Sequence, residues 1–297
     1  PSIAAQRMSG SRSYLILAIN DRDRTIADWR ARDGRDWVDQ MLLGGMLTAA
    51  ERGYRMIFEL IDTHSDHVER ELGAAIAALQ PDGVIVTPPH SENPQITELL
   101  AENGIPFARI GSKEDGPGIA MTMGDELLAG KATDHLIELG HMRIGFIAGP
   151  DEYSLAGWRT DGWREAMANA ELDCEDLLEQ GDFGFESGLA AAQALLDREN
   201  PPTAIIASSD QMALAALDVA KERGLDVPRD LSIVSFDNTP IVRFATPSLT
   251  AVDQPIARTA ARAVDFKKHG APQAPVVIEG ELIVRASTAR APTRSRT

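Results

Sequence analysis

Three short stretches place charged or hydroxyl side chains where an apolar run gives way to a helical pattern. Arg159 stands in SLAGWRTDGW, after RIGFIAGP; Ser208-Ser209-Asp210 closes TAIIA; and Phe236-Asp237-Asn238 closes SIVS. An arginine offers a rigid fork of donors and a carboxylate offers only acceptors, a combination suited to vicinal hydroxyls or to a carboxylate on a small molecule. Parallel strands present their carboxyl ends to the crevice where open α/β sheets take ligands, so these residues are candidates to bind rather than to fill. Asp210 also reads as a helix cap. Phe183, in QGDFGF, would add a flat apolar face for a sugar ring.

Other chemistries are poorly equipped. Asp210 and Asp237 could serve as acid and base in an enzyme of nucleoside or sugar chemistry, but no paired-carboxylate motif accompanies them. There is no Gly-x-Ser-x-Gly elbow and no His-Glu-x-x-His. The stretch GDELLAGKAT resembles a phosphate loop only until the spacing from Gly124 to Gly130 fails and Ala132 replaces the magnesium-binding hydroxyl. A G-x-G-x-x-G fingerprint is missing too. His64 and His67, in THSDH, lack a third ligand and read as a solvated helix start; His141, in LGHMRIGF, reads as a hydrogen-bonding turn residue. No catalytic residue, cofactor or metal is expected.

The elements that must hold these residues follow a regular alternation. Apolar, β-preferring runs occur at 14–19, 55–60, 83–87, 106–110, 144–148, 203–207, 232–236 and 249–252. Helix-period stretches separate them at 37–52, 68–79, 96–103, 126–139, 159–170, 187–198 and 211–223. Strands alternating with helices of this length imply parallel sheets covered on both faces. Glycines that can adopt a left-handed C-cap, such as Gly53, Gly140 and Gly224, end several helices. The Gly- and Pro-bearing stretch SKEDGPGIAMTMG reads as a crossing between two such sheets, and 255–268 and 275–284 read as a last helix and a last apolar piece.

Composition bounds the setting. A chain of 297 residues with 43% hydrophobic residues holds two packed lobes. Its apolar runs fall short of the roughly 20 residues that cross a bilayer. One cysteine, Cys174, forms no internal disulfide, and suits a reducing cytoplasm. A formal charge of −16 makes the body repel nucleic-acid phosphates, so any DNA contact must come from a locally basic element. Starting at Pro1 without methionine, the chain is expected to be a fragment or a processed product.

Five motifs in order, IELGHMRIGFIAGP, WRTDGWREAM, AIIASSDQMALAALDVAKERGLDVPRDLSIVSFDN, PSLTAVDQP and VRAST, closely resemble the effector-binding core of the LacI/GalR family of transcriptional regulators. The resemblance covers nearly the whole chain. It implies an α/β fold of two Rossmann-like lobes, of periplasmic-binding-protein type, joined by three crossing segments. The expected division is a hinge remnant at 1–12, an N-terminal lobe at 13–122 and 254–272, a C-terminal lobe at 123–253 and 273–289, and a flexible tail at 290–297.

The resemblance carries Arg159 and Asp237 over as ligand-binding residues, with Ser209 ahead of a capping Asp210, Phe183 as a stacking aromatic and Gln254 at the third crossing segment. In the first lobe, strand ends would present Asn20 and Asp21, Pro88 to His90, and Gly111 with Ser112. The segment NDRDRTIADWRARDGRDW reads there as a long charged loop. Ala286 and Ala251 depart from the family's usual glutamate and threonine. The opening AAQRM resembles the family's hinge, too short for a helix of its own since isolated helices under about 12–15 residues are marginal. By that resemblance Met8 is the wedge entering a DNA minor groove, Ala5 permits close approach and Arg7 meets phosphates. The implied protein is a cytoplasmic, homodimeric, sugar-responsive DNA-binding regulator, a repressor, that binds operator DNA through a headpiece ahead of Pro1. The alternative is a periplasmic sugar-binding protein of a transporter, which shares the fold.

Overall fold

The computed structural model describes residues 12–31, 36–62, 64–264 and 274–292. In chain order its elements are β1 (Leu15–Asp21), α1 (Arg22–Ala31), α2 (Asp36–Glu51), β2 (Arg55–Ile61), α3 (Val68–Leu79), β3 (Gly83–Val86), α4 (Pro94–Glu102), β4 (Phe107–Ile110), β5 (Ile119–Thr122), α5 (Asp125–Glu138), β6 (Ile144–Ala148), α6 (Ser154–Asn169), β7 (Leu178–Gln180), α7 (Phe185–Leu196), β8 (Ala204–Ala207), α8 (Asp210–Glu222), β9 (Ser232–Asp237), α9 (Ile241–Phe244), β10 (Thr250–Asp253), α10 (Ile256–Ala263), β11 (Val276–Val277) and β12 (Glu281–Ile283). A short 3-10 turn, His90–Glu92, follows β3.

The described residues form two compact units: those up to Met123 with those of Pro255–Ile278, and those of Gly124–Gln254 with those from Glu279 onward. The chain therefore passes from one unit to the other three times, after Met123, Gln254 and Ile278. Each unit is built on a six-stranded sheet, β11-β5-β4-β3-β1-β2 in the first and β12-β10-β9-β8-β6-β7 in the second. Every pairing is parallel except that of β12 with β10. The two orders correspond strand for strand, with the reversal of strand order at β1/β3 and β6/β8.

Strand periodicity sorts the cores. In β1, Ile16 and Ala18 pack on the face with α2 and α10 residues, while Leu17 and Ile19 pack opposite with Val68, Leu72 and Ile96. In the second unit, Ile144, Phe146 and Ala148 join Trp163 on one face, and Ile147 joins Leu195 and Met212 on the other. Both faces are covered, as parallel sheets require. Close helix pairs depend on glycine. A Cβ at Gly162 on α6 would lie 2.0 Å from the Glu126 carbonyl oxygen of α5, and one at Gly44 on α2 equally near the Ala257 carbonyl oxygen of α10.

Several expectations need correction. The supposed loop of 20–37 is instead the end of β1 followed by α1, with 32–35 outside the described residues. Asp21 accepts from the amides of Asp23 and Arg24, and Arg24 pairs with Asp28 one turn on, so local bonds hold a helix whose Trp29 is 75% exposed. The crossing stretch SKEDGPGIAMTMG contains β5, hydrogen-bonded to β4. The apolar piece at 275–284 divides: Val276 and Val277 pair with Met121 and Thr122 in the first unit, so 273–289 is not wholly of the second, while β12 pairs with β10. Gln254 lies in the second unit, not the first. Helix α6 starts at Ser154, before Arg159, and the described part of the last helix is α10. The tail expected from 290 is still engaged at Ala291, whose amide donates to the Leu139 carbonyl. Ala5, Arg7 and Met8 lie outside the described residues.

Candidate functional site

The second unit brings Arg159, Asp210 and Asp237 together at the carboxyl edge of its sheet. Arg159 projects from the second turn of α6 and is 2% exposed. Its Nε donates to Asp125 Oδ1 at 2.9 Å, its Nη1 to the Ser208 carbonyl at 2.5 Å, and its guanidinium carbon sits 4.6 Å from the centroid of the Phe236 ring. Nη2 faces Asp237 Oδ1 at 3.9 Å, too far for a hydrogen bond. The two charges thus face each other as an ion pair that is not hydrogen-bonded.

Asp237 ends β9 with φ 94, and Asn238 follows at φ 57. Both lie in the left-handed region, which Asp and Asn enter more readily than other side chains, at a cost of about 1–3 kcal/mol. The turn aims the Asp237 carboxylate along the sheet edge, where it is 15% exposed. Asn238 is fixed by donating to Asp253 at 2.6 Å and by accepting from Arg285 at 2.5 Å. Arg285 belongs to the VRAST motif, whose Ser287 hydroxyl accepts from the Thr250 amide and donates to the Ile233 carbonyl. That closing motif stitches β9 and β10 together behind the site, with Ala286 and Ala251 accommodated, the Ala286 amide donating to Ser248.

Asp210 opens α8 and is buried. Its carboxyl accepts from the Ser235 hydroxyl and, at 2.6 Å, from the Thr239 amide. Burial, reinforced by the neighbouring Asp237 charge, pushes its pKa up to about 7, with hydrogen bonds from Ser235 and Thr239 opposing. It is not the cap. Ser209 caps α8, accepting from the Met212 amide at 3.2 Å and donating to the Phe183 carbonyl at 2.9 Å. A serine oxygen in extended backbone reaches the third amide of the helix, whereas a residue already in the first turn cannot. Phe183, at φ 71, sets its ring edge-on to Tyr153 at 5.4 Å and 5.9 Å from the Arg159 guanidinium. A Cβ on Gly149 would fall 2.1 Å from that ring, so glycine at the end of the β6 segment makes room for it.

Gln254 is buried, and its amide donates to Asp125 Oδ1 at 2.7 Å. Asp125, with no exposure, and Ser235, Thr239 and Arg285 are candidate-site residues that sequence reasoning missed, whereas Asn238 was singled out with Asp237. Asp125 carries one sequence signal, an acidic residue in the first turn of a helix, but its partner Gln254 is 129 positions away. Among the described residues of this unit, five side-chain atoms, Asp125 Oδ2, Arg198 Nε, Ser208 Oγ, Thr239 Oγ1 and Gln254 Oε1, are buried without a hydrogen-bond partner.

The first unit uses its corresponding strand ends among themselves. Asn20 donates to Thr25 at 3.0 Å and accepts from Thr87 at 2.8 Å, and Asp21 caps α1. Ser112 accepts from Arg109 at 3.0 Å, and Arg109 also donates to the Glu114 carbonyl. His90 follows Pro88 and Pro89 and is fully buried; burial lowers its pKa against the opposing charge of Asp21. Gly111 takes φ 72 in the turn before Ser112.

The remaining sequence candidates fall outside binding chemistry. GDELLAGKAT is the start of α5, not a phosphate loop. His64 and His67 are exposed before α3, and among the described residues no metal-holding cluster of His, Cys, Asp and Glu occurs. His141 bridges Thr203 at 2.8 Å and the Ala289 carbonyl at 3.0 Å, the turn role its sequence context suggests. Cys174 is half-buried and its thiol pKa is raised, chiefly by burial. Among the described residues no helix is long and apolar enough to cross a membrane.

Comparison with known proteins places the fold. Residues 133–288 match the family model described as a periplasmic binding protein-like domain. The HTH-type transcriptional regulator CelR of Thermobifida fusca is 35% identical over 257 residues, covering 83% of this chain and 74% of the relative. A solved complex of transcriptional regulator CelR with cellobiose superposes with a TM-score of 0.81 at 29% identity, over 93% of this chain and 85% of that one. A LacI family transcriptional regulator from Mycobacterium smegmatis superposes with a TM-score of 0.76 at 28% identity, over 93% of this chain and 99% of that one.

Proposed function

The chain belongs to the LacI family of transcriptional regulators and is built on that family's effector-binding core, and from this premise we propose that it controls transcription in the cytoplasm by binding operator DNA with an affinity set by a sugar or sugar derivative. The observation that carries the ligand class is the opposed Arg159 Nη2 and Asp237 Oδ1 at 3.9 Å. A hydroxyl both donates and accepts, so one approaching from the side of that pair, about 2.8 Å from each atom, bridges the guanidinium and the carboxylate. The Phe183 ring beside the guanidinium supplies the flat apolar contact that a pyranose or furanose face needs.

A related regulator is known with cellobiose, which makes a disaccharide the first ligand to try. The relatives named as regulators favour this reading over a transporter's periplasmic binding protein. The ligand acts through a difference in its affinity for the DNA-competent and DNA-incompetent states, since equal affinity would shift nothing. Two copies form the working unit. Leu43, Met46 and Leu47, exposed at helical spacing on α2, give the apolar stripe that a second copy would cover.

The reading is tested with the full-length gene product by filter retention of genomic DNA fragments, with and without each of a panel of pentoses, hexoses and disaccharides led by cellobiose. A sugar that changes retention severalfold supports it. Fragment retention that no sugar alters, or no retention at all, overturns it.

A further inference from the structure

We propose that Asp125 is a positioning residue that transmits the state of Arg159 to the crossing segments of the chain, an inference that rests on the ligand reading above. A single oxygen of Asp125 receives two donors, Arg159 Nε at 2.9 Å and Gln254 Nε2 at 2.7 Å. Asp125 is the second residue after the first crossing, and Gln254 is the last residue before the second. One carboxylate oxygen therefore joins the proposed ligand-binding arginine to the chain at two of its three crossings.

The bonding around the arginine gives that junction a direction. Nε and Nη1 are committed, to Asp125 and the Ser208 carbonyl, and the ring of Phe236 backs the guanidinium plane. Nη2 alone is short of its acceptor, at 3.9 Å from Asp237. A ligand that engages Nη2 rotates or draws the fork, and a rigid planar fork cannot turn at Nη2 without moving Nε. The moving Nε then competes with the Gln254 amide for the same oxygen.

The junction also has an alternative arrangement available. Asp125 Oδ2 and Gln254 Oε1 are buried without protein partners. Leaving a buried acceptor unmade is unfavourable, so a shift that lets Oδ2 take one of the two donors would be compensated rather than opposed. A side chain serving only to fill space or neutralise Arg159 would not need to share its oxygen with Gln254.

The test has one arm without ligand and one with it. In the ligand-free arm, unfolding midpoints are compared for Arg159→Lys, Gln254→Ala and the double variant. If Asp125 couples the two residues, the double variant loses more than the two single shifts combined, by about 2 °C or more, because either donor alone can still serve the shared oxygen, and the discrepancy vanishes with Asp125→Ala as background. Asp125→Asn, which keeps one acceptor oxygen, guards against failure of the alanine variant to fold and should retain at most half the discrepancy. In the second arm, hydrogen exchange is followed at residues 252–256 with and without saturating cellobiose, or whichever panel sugar raises the unfolding midpoint. The wild type should change its exchange there severalfold, and Asp125→Asn should bind the sugar with that change lost. Additive shifts in the wild-type background, or coupling undiminished in both Asp125 variants, overturn the proposal. So does an undiminished exchange response in Asp125→Asn. If no sugar binds but the ligand-free coupling is present and depends on Asp125, the sugar reading fails while the positioning role stands.

Discussion

Replacing Asp210 with asparagine should reverse its effect on stability between acid and alkaline pH. The carboxyl is buried beside Asp237, and its pKa is pushed up to about 7. An aspartate in the unfolded chain titrates near 3.9, so between these values the folded protein holds a proton that the unfolded chain has released. Stability linked to this group is complete below the unfolded value and declines as pH rises, until the contribution is gone above about 7. Three units of separation correspond to about 4 kcal/mol, an upper bound for one group in its full window. Asparagine has no proton to lose and keeps one acceptor for Ser235 or Thr239, giving up about 1 kcal/mol of hydrogen bonding at pH 5. From pH 5 to 8 the wild type loses about 2.6 kcal/mol through this group, so at pH 8 the variant should instead be the more stable by about 1.5 kcal/mol. Urea unfolding of both forms at half-unit intervals from pH 4.5 to 8.5 measures the difference. His90, His135 and His141, all with pKa lowered chiefly by burial, impose an opposite trend below about 6.5, but they are common to both proteins and cancel. Two parallel curves, with a constant gap across the range, would refute the raised pKa and with it the account of Asp210 and Asp237 as a like-charged buried pair.

Other substitutions separate packing from binding. Asp237→Asn preserves a side chain that tolerates φ 94 but removes the charge, and sugar affinity by calorimetry should fall about tenfold or more with little loss of stability. Arg159→Ala should cost about 3–5 kcal/mol in urea unfolding, because it leaves Asp125 buried without its cation. Gly162→Ala places a methyl 2.0 Å from a backbone oxygen and should destabilise by about 1–3 kcal/mol. Gly157→Ala on the same helix meets nothing within 4 Å and should stabilise by about 0.5–1 kcal/mol. Leu43→Lys with Leu47→Lys should convert a dimer to a monomer in sedimentation velocity without lowering the unfolding midpoint of the monomer.

Elements whose burial matches their periodicity were legible in the chain. Val68–Leu79 and Ile144–Ala148 form as helix and strand with the bounds that hydrophobic spacing gives. Residues held by local polar bonds were not. Helix α1 has little apolar stripe and depends on the Asp21 cap and an Arg24–Asp28 pair, so its sequence resembles a charged loop. β5 and β7 are short, with the glycine- and proline-bearing stretch before β5 disguising it, and β11 and β12 share one apolar stretch although they belong to different sheets. Arg159, Asp210 and Asp237 could be placed because a strand end or a helix start marks each in the chain. Asp125 could not, because its role comes from Gln254 and Arg159, which only the folded second unit brings to the same oxygen.

The most direct measurement of the central claim is thermal unfolding of the protein against the sugar panel, run in parallel with Asp237→Asn. A specific sugar at 100 times its dissociation constant should stabilise the wild type by about 2.7 kcal/mol, a rise of several degrees in the midpoint, and at the same concentration should stabilise Asp237→Asn clearly less. A panel that leaves the wild-type midpoint unmoved, or a sugar that raises both midpoints equally, would contradict a ligand held between Arg159 and Asp237.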